Sequence, residues 1–483
     1  MARRKQHRTK FFLTSIAIFV VVFAVAFFGI QFVTKTGVFH VPGVVRYEED
    51  KLLPKQVELV KQIFTDEVKL DKDVTITARN TTEYPELAEG EYIYSIMVPV
   101  TDFYDSRSDR NEFEEAEVIP LEELDNTKKL LSVDGEYYLD TLDKGAYYNI
   151  ISFDSEKFED EIKPLVDATF NKKWPSRDSV LSFAQTGVTA MSRGMNRKLA
   201  EVGDATYFSA EIADFLKKFD ITHTSNEASF STMASSENIC SDPRFQGLLT
   251  DIGLDVVELT GNHNLDCGAE AARNTIDWYN EQNIKIVGGG KTATEAAEPL
   301  RLDGKENNIT MLAYNQSTGG ATLDETPGAN QYTEENAVKE ITAAKERGDT
   351  VIVDVQYYEC SAYVSETEDA TCDYANSAAG DQVGFFRHLI DLGADVVVGT
   401  SAHQPQTFEQ YGDGVIYYGL GNLFFDQAWW PGTTRSLVLA HYFYDGKLLQ
   451  TKIVPTVYDS NYVTQVMENP EWFIERLALK RPA

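Results

Sequence analysis

The sequence predicts an α/β protein with one large domain, a small α/β domain before it and one membrane-spanning helix at the N-terminus. Three observations support this prediction. Strand-like and helix-like segments alternate between residues 177 and 458, a shorter mixed segment covers residues 47–175, and residues 11–33 form an uncharged apolar run. The 483 residues are too many for one ordinary domain, and with 43% of them hydrophobic the chain is too apolar to be disordered.

The apolar run from Phe11 to Val33 predicts the membrane helix. Its 23 residues carry no charge, and at about 1.5 Å per residue they can cross a hydrocarbon core of roughly 30 Å. Basic residues precede the run, and acidic residues follow it within the next twenty positions or so, so the N-terminus is expected in the cytoplasm and the main domains outside. A cleaved signal peptide and a buried core helix are the alternatives.

The expected domain order follows from these segments. We expect a cytoplasmic basic tail at 1–10, the transmembrane helix at 11–33, a tether at 34–46, the small α/β domain of unknown role at 47–175, the main domain at 177–458 and a C-terminal extension at 459–483. Pro175 marks the boundary between the domains because proline stops a helix. The last part of the main domain has consecutive strands without helices, which predicts mixed rather than parallel sheets.

The charge balance restricts the partners. The chain has 44 Lys and Arg residues against 76 Asp and Glu residues, a formal net charge of −32. Without the six basic residues that precede position 36, the external part carries −38. This acidic field repels phosphate backbones, so nucleic-acid binding is not expected. The lipid membrane is the expected partner of the N-terminal helix.

An external location permits disulfides, and four cysteines allow three pairings. Cys360 and Cys372 enclose a short polar loop and are the first candidate pair, which leaves Cys240 and Cys267 as the second. Four unpaired buried thiols are the alternative. None of the cysteines has the C-x-x-C spacing of a structural zinc site.

Unusual polar residues follow several predicted strands, at positions where α/β sheets collect their active groups. Side chains of this kind can bind a divalent metal, serve acid–base chemistry or hold a polar ligand. Any one of them alone would more ordinarily support a turn or lie in the core, but their recurrence at successive strand ends favours a site. The segments are Asn226 with Glu227, Gly261 to Asp266, Glu359, Thr400 to Gln404, and Asn422.

Two blocks of this sequence resemble the CapA-type poly-γ-glutamate capsule synthesis family. The first is the stretch LTGNHNLDCGAEAARNTIDWYNEQNIKIVGGGKTATEAAEP, and the second is LGADVVVGTSAHQPQTFEQYGDGVIYYGLGNLFFDQ. The shorter SNEAS segment matches that family's Asn-Glu element. The matches occur in the family's order and cover roughly residues 180–430.

The resemblance extends to calcineurin-like metallophosphoesterases and implies their fold, two facing mixed sheets flanked by helices. It implies that Asn262 would be a metal ligand or phosphate contact. His263 would face the leaving oxygen, and His403 would be the last histidine of the G-H-x-H loop.

The sequence also departs from this pattern. The segment Thr186–Gly194 lacks the aspartate of the usual D-x-H or G-D opening, Thr400 replaces a histidine, and Gln356–Glu359 replaces the usual H-W-G. Two-metal hydrolysis needs several anionic or imidazole ligands. We therefore expect one divalent ion, held by Glu227, Asn262 and His403, or none.

The resulting prediction is a membrane-anchored, extracytoplasmic CapA-like protein in the synthesis, export or processing of poly-γ-glutamate or another anionic surface polymer. Whether it is an enzyme is left open; if it is one, a metallophosphoesterase-like hydrolase or transferase with a partly degraded metal site is expected. A non-catalytic assembly or ligand-binding subunit of a cell-envelope complex is the alternative, and other capsule or envelope subunits are expected partners. The catalytic candidates are Glu227, His263, Asp266 and His403. The ligand-binding candidates are Asn226, Arg193, Glu359, Gln404 and Asn422.

Overall fold

The computed structural model describes residues 43–48, 51–65, 68–316, 325–357, 381–428 and 431–482. The chain divides into two compact units, one made of residues 1–96 and 147–173, the other of residues 97–146 and 174–483. Among the described residues, no helix is both long and apolar enough to cross a membrane. The predicted membrane helix at 11–33 lies outside the described ranges.

The strands, numbered in chain order, are β1 (Val45–Tyr47), β2 (Val74–Thr81), β3 (Glu91–Asp102), β4 (Glu117–Pro120), β5 (Lys128–Leu130), β6 (Tyr147–Asp154), β7 (Leu181–Ala190), β8 (Ile221–Asn226), β9 (Val256–Glu258), β10 (Lys285–Val287), β11 (Gly289–Gly290), β12 (Leu300–Gly304), β13 (Asn307–Asn315), β14 (Gly328–Ala329), β15 (Thr350–Gln356), β16 (Val396–Gly399), β17 (Phe408–Tyr411), β18 (Gly414–Tyr417), β19 (Asn422–Phe425), β20 (Arg435–Tyr444), β21 (Lys447–Tyr458) and β22 (Thr464–Val466).

The α-helices are α1 (Pro54–Ile63), α2 (Tyr138–Thr141), α3 (Lys163–Phe170), α4 (Gly194–Val202), α5 (Ala213–Leu216), α6 (Gln246–Asp251), α7 (Ala269–Glu281), α8 (Ala293–Ala296), α9 (Glu334–Glu346), α10 (Gln382–Asp391) and α11 (Glu471–Leu479).

The first unit is a small sheet with helices packed against it. Strands β1, β2, β6 and the first half of β3 lie side by side, with β1 parallel to β2 and β6 antiparallel to β2. Val60 of α1 and Val166 of α3 join Ile76 and Phe153 of the sheet in one buried cluster. The unit is an α/β assembly, and its strand β1 includes residues 45 and 46 of the predicted tether.

The boundary between the units differs from the predicted one at two places. Residues 97–146, expected in the small domain, cluster with the second unit because Phe103 and Tyr104 pack on Phe408 and join its apolar core. The predicted C-terminal extension also belongs to that core, since α11 places Phe473 and Leu477 in it.

Two mixed sheets form the second unit. The larger has the order β10-β9-β8-β7-β20-β21-β22, with β19 also paired to β7. Its strands β7 to β10 are parallel, and β20 to β22 are antiparallel. The smaller has the order β12-β13-β15-β16-β18-β17, with antiparallel strands at both edges.

One apolar cluster contains side chains of both sheets, including Phe183 and Leu437 of the larger sheet and Ile352 and Val396 of the smaller one. Helices cover the outer faces. Helices α4 to α7 pack on the larger sheet, and helices α9 and α10 pack on the smaller one. The prediction of a mixed α/β fold with sheets flanked by helices is confirmed.

A polar network lies inside this second unit. Gln185 donates its amide to Asp354 Oδ1 at 2.5 Å, so its oxygen Oε1 must accept from His441 Nε2 at 3.0 Å. The proton of neutral His441 is therefore on Nε2, and Nδ1 accepts from the hydroxyl of Thr451 at 2.8 Å. His223 Nε2 lies 3.3 Å from Asp354 Oδ2.

Burial sets the charge of two members of this region. It lowers the pKa of His441 to about 3, and nearby His223 adds to the effect. Burial also raises the pKa of Glu258, as does the neighbouring carboxylate of Asp354, while hydrogen bonds from Ser225 and Thr260 act in the opposite direction. His441 is thus neutral in the folded protein over a pH range in which an unfolded histidine is protonated.

We predict that this histidine lowers the stability of the protein in acid. The pKa of His441 is about 3 in the folded protein and 6.5 in the reference state. The stability that its neutral ring contributes is therefore present above pH 6.5 and is lost as the pH falls towards 3. Within this window, the unfolding free energy of the unmodified protein should fall relative to H441Q by about 1.4 kcal/mol per pH unit. Denaturant titrations across the window measure this difference. The Glu258 contribution, which has the opposite sign, cancels between the two proteins, and parallel pH profiles would contradict the prediction.

Candidate functional site

The sheets bring several of the predicted loops to one edge of each sheet. Strands β7, β8 and β9 are mutually parallel, as are β15 and β16. Their carboxyl ends are followed by the loops that carry Arg193, Glu227, residues 260–266 and residues 400–404. The segment that contains Asn422 is itself a strand, β19, which runs parallel to the end of β7.

Gln356, the last residue of β15, links two of these loops. Its Nε2 donates to Asn262 Oδ1 at 3.1 Å. Its Oε1 accepts from the hydroxyl of Thr400 and from the backbone N–H of Ser401, both at 3.3 Å. The loop after β9 and the loop after β16 are therefore held together by one buried amide.

His403 is oriented by a second amide. Asn422 donates its Nδ2 to Gln427 Oε1 at 3.1 Å and to the carbonyl of Thr433 at 3.0 Å, so its Oδ1 is an acceptor. His403 donates from Nδ1 to that oxygen at 2.9 Å. In the neutral ring, Nε2 is then the nitrogen with a lone pair. The ring of His403 also packs on Phe425, with centroids 5.1 Å apart.

His263 pairs with Asp266 in the loop after β9. Their Nδ1 and Oδ2 atoms lie 2.8 Å apart, and 29% and 40% of the two side chains are exposed. The loop turns between them because the N–H of Asp266 donates to the carbonyl of His263. Buried Asn264 anchors the same loop through a 2.8 Å hydrogen bond to the carbonyl of Leu259.

A disulfide holds the end of this loop. Cys267 directly follows Asp266 and is bonded to Cys240, which confirms the second of the two predicted pairs. Ser229 adds a hydrogen bond from its hydroxyl to the carbonyl of Asn264 at 2.7 Å. The other predicted pair, Cys360 and Cys372, lies outside the described residues.

Glu227 lies against the backbone of the same loop. Its side chain is 1% exposed, and its N–H donates to the carbonyl of Thr189 at 2.9 Å. A Cβ atom on Gly261 would lie 2.8 Å from the Cα of Glu227, so only glycine allows this approach. Glu227 is thereby placed beside the residue that precedes Asn262.

Arg193 is fixed by the segment after β19. It has a positive φ of 48°, donates from Nη2 to the carbonyl of Asp426 at 2.9 Å, and stacks 4.8 Å from the ring centroid of Phe425. The carboxylate of Asp426 accepts from the N–H of Gly194 at 2.7 Å and from the hydroxyl of Tyr462 at 2.8 Å. Asp426 therefore caps helix α4 while it positions the arginine.

The remaining predicted residues have other surroundings. Asn226 is fully buried and donates to the hydroxyl of Tyr279 at 2.7 Å and to the carbonyl of Ala228 at 3.2 Å. Gln404 is 4% exposed. Glu359 lies outside the described residues.

The contribution of several residues was not predicted. Gln356 is noted in the sequence only as part of a replacement for a family motif, although it connects the two loops. An amide at the end of an otherwise apolar strand is the signal that would have identified Gln356. Tyr462 carries no such signal, because its contact with Asp426 depends on the distant chain segment that follows β21.

The described residues do not build a two-ion centre. Within the ranges that the structure describes, no group of three or more His, Cys, Asp or Glu side chains is arranged to hold a metal ion. Amides and hydroxyls dominate this edge instead, and they are engaged with one another. A single ion held by Glu227, Asn262 and His403 stays a prediction.

Comparisons with known proteins place the same region in a family. The bacterial capsule synthesis protein family PGA_cap matches residues 182–427. The chain is 27% identical over 197 residues to capsule biosynthesis protein CapA of Bacillus anthracis, covering 40% of this chain and 45% of the relative. It is 28% identical over 198 residues to PGA biosynthesis protein CapA of Bacillus subtilis, covering 40% and 48%. The chain thus spans about half the length of the curated relatives it matches.

A solved structure, TT1561 of Thermus thermophilus, aligns with 55% of this chain and all of its own, at 11% identity and a TM-score of 0.30. A TM-score of 0.30 does not show that the two proteins share a fold. The family match, by contrast, covers slightly more than half of the residues and includes each described strand end discussed above. The chain belongs to the bacterial capsule synthesis protein family PGA_cap.

Proposed function

We propose that this chain acts in the biosynthesis of a poly-γ-glutamate capsule, as a membrane-anchored protein whose main units lie outside the cell. Family membership, and the capsule and PGA biosynthesis proteins among the relatives, support the process. The uncharged run at residues 11–33, with its basic flank, supports the anchor.

The arrangement of His263 and Asp266 carries the chemical part of the proposal. A carboxylate that accepts from Nδ1 fixes the ring and the tautomer of a histidine, and leaves Nε2 as the group that takes or gives a proton. Asn422 orients the ring of His403 in the same way, because its Oδ1 accepts from His403 Nδ1. The edge therefore offers two oriented imidazoles for proton transfer at an amide or amine of a glutamate polymer.

The amides at this edge fix the two imidazoles in place, because Gln356 joins the loops that carry them and Asn422 orients His403. Arg193, with 24% of its side chain exposed, adds a contact for a polymer carboxylate, and its charge is shared with Asp426, whose Oδ2 lies 3.8 Å from Nε.

Two-ion phosphoester hydrolysis is less well supported. It requires several anionic or imidazole ligands around two ions, and the described residues contain no group of three such side chains. The proposed chemistry therefore uses no step through a metal.

A non-catalytic assembly or ligand-binding subunit is the second candidate. The observation that favours it is the mutual hydrogen bonding of Asn262, Gln356 and Thr400, which are positions in or beside the metal-ligand loops implied by the resemblance. In that case, the edge would bind a polymer or a partner without performing chemistry.

We predict that H263A abolishes capsule formation while the protein stays folded. Loss of a general acid or base lowers a rate by about 100-fold or more, and the partly exposed pair should contribute no more than about 1 kcal/mol to stability. The measurement is surface glutamate polymer on cells whose own copy of the gene is replaced by the variant. Thermal unfolding of the purified full chain measures the stability.

H388A is the matched control, because His388 also pairs with a carboxylate, Glu334, at 2.8 Å and is similarly exposed. It should leave polymer formation unchanged. Normal polymer from the H263A strain would contradict the catalytic proposal and favour the assembly subunit.

For the membrane anchor, we predict that protease added to intact cells digests residues after about position 35, because the positive-inside rule places them outside. A tag fused before Met1 should remain protected, and the isolated protein should retain residues 1–33. Protection of the whole chain would contradict the topology, and a mature protein that lacks the apolar run would indicate a cleaved signal instead.

A further inference from the structure

A cleft of about 570 Å³ opens at the other edge of the larger sheet, where β7 and β8 begin. Its walls come from the start of β7, helix α2, the segment around Phe215 and Phe219, and the turn between β12 and β13. Strand β7 separates this cleft from the candidate site by roughly 25 Å, given the rise per residue of a strand. The cleft is therefore a distinct place on the second unit.

Three basic side chains line the cleft, Arg177, Lys218 and Lys305. In the described part of the chain, neither Arg177 nor Lys218 forms an ion pair with a carboxylate within 4.0 Å. The one hydrogen bond of the Arg177 head group there is a 3.4 Å contact from Nη2 to the carbonyl of Thr141.

The two carboxylates in the cleft are already engaged. Asp220 accepts from the N–H and hydroxyl of Ser182, both at 2.9 Å, and from Lys305 Nζ at 2.6 Å. Asp140 accepts from the hydroxyl of Tyr442 and from Lys452 Nζ, the latter at 2.8 Å. Each acidic charge is thus matched by a lysine, so Arg177 and Lys218 leave a local positive excess in a chain of net charge −32.

Apolar surface lies between these charges. Phe215 and Phe219 pack edge to face with centroids 5.4 Å apart, and both line the cleft beside Lys218. Buried Leu139 and Leu142 form part of the opposite wall. Such a surface suits a ligand whose carboxylates are carried on methylene stems, because the stems bury against apolar atoms while the carboxylates meet the cations.

We propose that this cleft is a binding site for a polycarboxylate chain, occupied by a segment of the polymer that the candidate site handles. The proposal rests on the proposed function for the identity of the polymer, and it adds a second contact on the opposite edge of the sheet. A polymer that reaches from this cleft to the candidate site is held at the cleft while its reacting segment lies at His263 and His403.

Binding of poly-γ-glutamate of defined length to the purified full chain in detergent tests this proposal. Titration calorimetry at low and moderate salt should show binding that R177E/K218E weakens by at least about tenfold, with a smaller dependence on salt because two cations are lost. Both residues are exposed, so thermal unfolding should be unchanged. The matched control is K339E, which reverses an exposed lysine on α9, and it should bind as the unmodified protein does.

Other probes separate the possible outcomes. Polyphosphate of equal charge should bind more weakly than poly-γ-glutamate because it has no apolar stems, and neutral polyglutamine should not bind. Equal binding by R177E/K218E and the unmodified protein, or preference for polyphosphate, would overturn the proposal. R177E/K218E is read out by polymer binding and H263A by capsule formation, so a failed cleft and a failed catalytic proposal give different results.

Discussion

The burial of two sheet faces against each other constrains the rest of the second unit. Strands such as β15 and β16 are buried along their whole length because helices cover the outer face of the same sheet. A polar side chain in the middle of such a strand must find a buried partner, since an unsatisfied polar or charged group is costly there. Most buried polar groups are therefore bonded to one another, as Gln185 is to Asp354 and His441, or lie at the strand ends, where the candidate site is. The same constraint accounts for the position of both features.

The buried network and the candidate site are continuous along individual strands. Side chains two residues apart point to the same face of a strand, so Asp354 and Gln356 of β15 share a face. The same alternation relates His223 and Ser225 of β8, and Glu227 directly follows that strand. Glu258 is the last residue of β9 and precedes Thr260 of the following loop by two positions. Thr260 connects the buried network to the loop after β9. It donates to Glu258, and its carbonyl accepts from Asn315 at 2.7 Å. Rigid, mutually bonded groups beneath the loops thus define where Asn262 and His263 stand.

Helix α4 and the C-terminal residues serve the site from outside the motifs that carry the family resemblance. Asp426 binds the first N–H of α4 and the hydroxyl of Tyr462, and thereby ties the end of the second sequence block to the segment that follows β21. A segment without chemical signals, such as residues 459–482, can therefore be necessary for the geometry of Arg193. Residues 97–146 have a comparable role, because their aromatic side chains complete the apolar cluster shared by both sheets.

The class of fold, the positions of most strands and helices, and the strand ends at which polar residues collect could be predicted from the sequence. They follow from local periodicity and from residues that interrupt it, such as Pro175 and Gly261. Three features became known from the folded chain alone: Gln356 joins Asn262 to Thr400, Asn422 orients His403, and residues 97–146 pack with the second unit. Each of these depends on contacts between segments far apart in the chain, and hydrophobic or polar character alone does not specify which distant partner a side chain will meet.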